Sequence, residues 1–205
     1  SEDAYVEELY SAAPLRGAVL LGALFPRAYI DANRSLADLD PLMIEGGWPG
    51  AQTGEKSARG IGLIWRLLPP DIAIYDRLLT REEVTRRIEQ YWRPYQQALD
   101  ASIAETYARF GSVWHVNCHS MPSIGDASAG DAGRKRADFV LGDRDGASCE
   151  RGFIDMVEAT LRELGYRVKR NDPFKGVELV RRHGNPAARR HSLQIEINRA
   201  LYMNE

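Results

Sequence analysis

Apolar and polar positions along this chain alternate in period and predict a succession of helices and strands. Tyr5, Val6, Leu9 and Tyr10 share one face of a first helix through about Ala12. Ser1 is its cap, and Glu2 and Asp3 lie in the turn where the helix dipole favours acids. Ala18 to Phe25 is an apolar run short enough for a buried strand. From Ser35 to Gly60 the pattern breaks around Pro41, Gly46, Gly47, Pro49, Gly50 and Gly54, which reads as a long surface excursion. Ile61 to Trp65 and Ile72 to Tyr75 are short runs separated by Pro69 and Pro70, a pair of strands or a hairpin.

The strongest helical signal begins at Thr80, which makes a capping box with Glu83. Val84, Ile88, Trp92, Tyr95, Leu99, Ile103 and Tyr107 follow on one stripe, Pro94 is a kink point and Gly111 the stop. Val113 to Cys118 is the next strand and places His119 just past its carboxyl end, where open α/β sheets gather ligands. Strands over Ala137 to Leu141 and Tyr166 to Arg170 bracket a helix from Phe153 to Leu164 with Gly165 at its C-terminus. In the last strand Leu193, Ile195 and Ile197 alternate with Gln194, Glu196 and Asn198, so Glu196 points away from the apolar face. This order implies an α/β sandwich around a mostly parallel sheet.

The 205 residues suffice for one domain with a real core. Lys plus Arg at 27 nearly balance Asp plus Glu at 29, which leaves no electrostatic case for nucleic acid or an acidic membrane. No run is long enough to span a bilayer and no basic leader precedes the first apolar run. Cys118 and Cys149 are too far apart for a zinc pair or a secreted disulfide framework, so the expected compartment is the cytoplasm. Oligomeric state is not legible.

Three groups carry candidate chemistry, and two others are set aside. His119, in the stretch VNCHSMPS, suits a metal, since neutral imidazole is a common zinc ligand; its other reading is a satisfied core histidine. Glu196 is either a surface ion-pair partner or a general base. Arg27, Asn33 and Arg34 lie with Asp31 in FPRAYIDANR, where the guanidinium groups either pair with Asp31 or grip a substrate carboxylate. Cys118, adjacent to His119 on a strand, points to the opposite face and does not make a nucleophile pair with it. The LGDRDG segment lacks the acid spacing of an EF-hand.

EDAYVEEL, FPRAYIDANR, GLIWR, YDRLL, VNCHSMPS, DFVLGDRDGASC, NDPFKGVELVRRHG and HSLQIEINRALYMNE together resemble the N-formylglutamate amidohydrolase family over nearly the whole chain. The resemblance implies a zinc carboxypeptidase-like, phosphorylase/hydrolase-like α/β fold with a mixed, mostly parallel central sheet between helices. It also implies one catalytic zinc and hydrolysis of N-formyl-L-glutamate to formate and L-glutamate in histidine degradation. By the same resemblance His119 is a zinc ligand, with Asp3, or its rival Glu2, as the acidic one. Glu196 is the catalytic glutamate, and Arg27 polarises the scissile carbonyl. Asn33 and Arg34 hold a substrate carboxylate, and Arg181 or Arg182 takes the second one. Family members carry an early histidine in a Ser-Pro-His type turn, and this chain starts downstream of it. Residues 1–205 are therefore expected to form a single amidohydrolase domain lacking its N-terminal strand and first zinc histidine. Competing expectations are a related zinc deacylase or carboxypeptidase acting on another acyl amino acid, and a metal-free carboxylate-binding protein.

Overall fold

The structure, a computed structural model, describes residues 3–68, 71–127 and 129–205. Its contacts divide the chain into two compact units. One is formed by residues 1–20 and 102–205, the other by residues 21–101.

In the first unit the helix α1 is a single turn, Val6–Leu9, rather than the expected run from Ser1 to Ala12. Ser1 and Glu2, including the expected cap and the rival metal ligand, lie outside the described residues. Tyr5 has a left-handed φ of 59°, which stops helical winding ahead of Val6, and the next turn, Ala13–Arg16, is 3-10 with Pro14 in its first turn.

The expected strand at Ala18 to Phe25 is absent. The segment has no ladder partner among the described strands, and Val19 and Leu24 are largely exposed. An apolar run becomes a strand only where a neighbour takes its N–H and C=O groups.

The second unit, residues 21–101, packs around Ile30, Leu39, Ile44, Leu63, Leu79 and Val84. It contains the one-turn α2, Glu55–Ala58, and a small antiparallel hairpin of β1, Leu67–Leu68, and β2, Ile72–Ala73. The hairpin thus begins several residues later than the pattern suggests, because Ile61 and Trp65 only bridge each other across a tight turn. The expected capping box is present. Thr80 Oγ1 accepts from the Glu83 N–H at 3.1 Å, and Glu83 accepts from the Thr80 N–H at 2.8 Å.

From there α3, Arg81–Arg87, passes through a π-turn, Ile88–Trp92, into α4, Arg93–Phe110. The π-turn lies immediately before Pro94, which has no N–H for the preceding turn to accept. It also keeps the stripe in phase. Val84, Ile88, Trp92 and Gln96 are all buried at intervals of four. In an unbroken α-helix that spacing drifts about 40° per step, and one wider turn resets it.

The last residues of α4 belong to the first unit. Gly111 ends the helix at φ +66°, and β3 follows as Val113–Met121. β3 runs three residues beyond the expected end, so His119 lies within the strand rather than past it. The other elements are β4, Phe139–Gly142; α5, Arg151–Glu163; β5, Val168–Arg170; α6, Glu178–His183; and β6, Arg190–Asn198. The sheet order is β3-β6-β4-β5. β6 pairs parallel with β3 and antiparallel with β4, while β4 and β5 are parallel, a mixed and mostly parallel sheet as expected.

Because side chains alternate along each strand, one face carries Leu141, Leu193, Ile195 and Ile197. They pack against Phe153, Ile154, Val157 and Leu161 of α5. The opposite face at β3 and β6 is polar and meets α6, whose His183 ring lies edge-on to His115 with centroids 5.7 Å apart.

Candidate active site

Parallel register sets the polar residues of the first unit in two rows. His115 lies opposite Ser192, Asn117 opposite Gln194, and His119 opposite Glu196. Neighbouring strands are about 4.8 Å apart, so each pair shares one patch of sheet face. These side chains are buried or nearly so.

His119 is held at both ring nitrogens. Nδ1 lies 3.0 Å from Asp3 Oδ2 and Nε2 lies 2.8 Å from Asn117 Oδ1. Asp3 also accepts from the Ser120 N–H at 2.8 Å. Its carboxylate therefore clamps strand β3 rather than serving as a dipole partner in a helix that starts only at Val6. A carboxylate at Nδ1 favours a proton there and fixes the orientation of the ring. The Asn117 amide meets Nε2 by its oxygen, an acceptor, so this contact engages an N–H at Nε2.

Beside this ring, Glu196 Oε1 accepts from Gln194 Nε2 at 2.9 Å. Two residues down β3, His115 Nδ1 meets Ser192 Oγ at 2.8 Å. Burial first, then the nearby His183 and His119, push the His115 pKa down to about 4, so this imidazole is neutral near pH 7. Cys118 faces the other side, as alternation requires. Burial pushes its thiol up to about 11.

Arg27, Asn33 and Arg34 belong to the second unit. Asp31, 1% exposed, organises all three. Arg27 donates to its Oδ2 from Nε at 3.2 Å and from Nη2 at 2.9 Å, Arg34 Nη1 lies 3.8 Å from the same oxygen, and the Asn33 N–H donates to Oδ1 at 2.8 Å. Burial alone would raise the Asp31 pKa. The Arg27 and Arg34 charges and the Asn33 N–H outweigh it and hold the carboxyl below its ordinary value.

The backbone of this segment is pinned from the long helix. Arg87 donates to the Tyr29 carbonyl at 3.1 Å, Gln96 to Ala32 at 2.7 Å, and Trp92 to Arg34 at 3.0 Å. Arg34 further donates to the Ile61 and Asn33 carbonyls, so much of its guanidinium is committed to the fold. On α6, Arg181 pairs with Glu178 at 2.8 Å, and both Arg181 and Arg182 are exposed.

The structure thus brings His119, Asp3 and Glu196 into one unit and Arg27, Asn33 and Arg34 into the other. It adds two residues that the sequence reading passed over, Asn117 and Gln194, and it shows the pairing of the arginines with Asp31 that this reading leaves as one of two alternatives. For both the signal was present in the period-two spacing of His115, Asn117 and His119 against Ser192, Gln194 and Glu196.

A zinc site needs three or four protein ligands. His119 and Asp3 are a pair, and among the described residues no group of three His, Cys, Asp or Glu side chains could hold a metal ion. These residues alone do not compose the expected zinc centre.

A mixed α/β sheet that presents a buried carboxylate beside an oriented imidazole has the parts of a hydrolytic site. The model of the N-formylglutamate amidohydrolase family matches residues 1–203, and the chain belongs to that family. It is 31% identical over 211 residues to the N-formylglutamate deformylase of Pseudomonas putida, covering 99% of this chain and 71% of that protein. It is 29% identical over 215 residues to the N-formylglutamate deformylase of Pseudomonas aeruginosa, with the same coverage. The crystal structure of N-formylglutamate amidohydrolase from Ralstonia eutropha JMP134 superposes with a TM-score of 0.91 at 52% identity, over 98% of this chain and 73% of that one.

Proposed function

We propose that this chain catalyses hydrolysis of N-formyl-L-glutamate to formate and L-glutamate. Support comes from family membership across residues 1–203 and from one geometric observation that carries the chemistry, the pairing of His119 and Glu196 at a single register on the polar sheet face.

Glu196 acts as the general base. It takes a proton from the water that attacks the formyl carbon and returns it to the departing amine of glutamate. Proton transfer of this kind is worth about 10²–10⁴-fold in rate. His119, oriented by Asp3 and Asn117, presents a fixed imidazole beside that carboxylate. Burial strengthens both interactions, because the patch is largely shielded from water. By the family resemblance Arg27 is assigned the carbonyl oxygen that gains charge, Asn33 and Arg34 one substrate carboxylate, and Arg181 or Arg182 the other. No helix among the described residues is long and apolar enough to cross a membrane. The free thiols of Cys118 and Cys149 support the cytoplasmic reading.

The test is formate release by the purified protein with N-formyl-L-glutamate, set beside N-acetyl and N-succinyl amino acids. The formyl substrate is expected to be preferred, and Glu196→Gln to lower kcat about 10²–10⁴-fold with unchanged circular dichroism. Preference for another acyl group would favour a related deacylase, and near-normal turnover by the variant would remove Glu196 from the base role.

A further inference from the structure

Gln194 is 3% exposed, and its two polar ends fare differently. Nε2 donates to Glu196 Oε1 at 2.9 Å, whereas Oε1 is buried with no hydrogen-bond partner among the described residues. Turning the amide over would set its oxygen against the carboxylate oxygen, two acceptors face to face.

The surroundings give the amide no other task. Across β3 its register partner is Asn117, whose oxygen faces His119. Across β4 it is Gly142. A Cβ at Gly142 would come within 2.7–2.8 Å of the Lys175 and Gly176 backbone, so that loop closes over this level of the sheet. An apolar side chain of the same length would fill this place without stranding a carbonyl oxygen, and stranding one is costly.

We propose that Gln194 is a positioning residue for the hydrolytic reaction: its amide fixes the carboxylate of Glu196 in the orientation that accepts the water proton. The inference rests on Glu196 being the base. A residue that acts through Glu196 in this way affects kcat when removed and leaves KM nearly alone.

The test is Gln194→Met in the purified full chain. The substitution keeps length and volume and removes the stranded oxygen, so the melting temperature is expected to hold or rise. The expected kinetic result is a kcat about 10- to 100-fold lower, the usual scale for a misplaced catalytic group, with KM within about twofold. In a Glu196→Gln background the same substitution should change the residual rate by less than about twofold, since residues that act through one another are not additive. A residue that only packs would leave kcat unchanged, or lower it equally in both backgrounds, and either result overturns the proposal. Separately from turnover, the Gln194 side-chain NH2 signals in a 1H–15N spectrum should shift on Glu196→Gln, and unmoved signals also overturn it. A wild-type protein inert toward N-formyl-L-glutamate would sink the functional reading instead, while the spectrum still decides whether Gln194 holds Glu196.

Discussion

Replacing Asp31 by Asn tests how the second unit organises its arginines. The carboxylate is almost fully buried, the Arg27 and Arg34 side chains beside it are 26% and 8% exposed, and the closest charged contact is 2.9 Å. Breaking a buried ion pair by neutralising one member costs about 3–5 kcal/mol. Asn still offers an oxygen to the Asn33 N–H, and Arg27 can turn toward water, so the loss is expected at about 3 kcal/mol, the lower end of that range.

The pH dependence has a definite sign. The folded-state pKa of Asp31 lies below its ordinary value, so its stabilising contribution is fully present above the unfolded pKa, near about 4, and lost as pH falls through the folded value. Urea unfolding followed by tryptophan fluorescence is a suitable assay, since Trp48, Trp65 and Trp92 all lie in this unit. The gap between the two proteins should be constant from pH 8 to about pH 5 and close only below about pH 4. A gap under about 1 kcal/mol at pH 7, the worth of an exposed pair, would refute the buried-pair reasoning. So would one that titrates away between pH 7 and pH 5.

Two further outcomes follow from the same geometry. Thr80→Ala removes the acceptor for the Glu83 N–H and should cost about 1 kcal/mol in the same unfolding assay; an unchanged midpoint would mean that the capping box contributes nothing to the long helix. Burial raises the Cys118 thiol to about 11 and the Cys149 thiol to about 12, so in native protein at pH 8 both should react with iodoacetamide far more slowly than a free thiol. Rapid alkylation of either would contradict the packing described.

What the sequence disclosed depended on how local each signal was. The capping box at Thr80, the helix stop at Gly111 and the two-faced strand around Ile195 are encoded within a few residues, and each is found close to where its pattern lies. The run at Ala18 to Phe25 carries the same apolar content as a buried strand but finds no ladder partner among the described strands, and partners are a property of the whole fold. Asp3 is the complementary case. Read locally it belongs to a helical first turn, yet it is pulled 117 residues away in sequence to the Ser120 N–H and the His119 ring. His119 and Glu196 were legible as chemistry. That they share a register, and that Asn117 and Gln194 flank them, emerges only when β3 and β6 are laid side by side.

β6 has a practical consequence for anyone who diversifies this protein. Its odd-numbered residues from Leu193 to Ile197 look toward α5, and its even-numbered ones from Ser192 to Asn198 look toward the opposite layer. A library varied at the odd positions explores thermal robustness, while one varied at the even positions explores turnover. Filling the even positions with aliphatic side chains would harden the molecule and silence it in the same stroke.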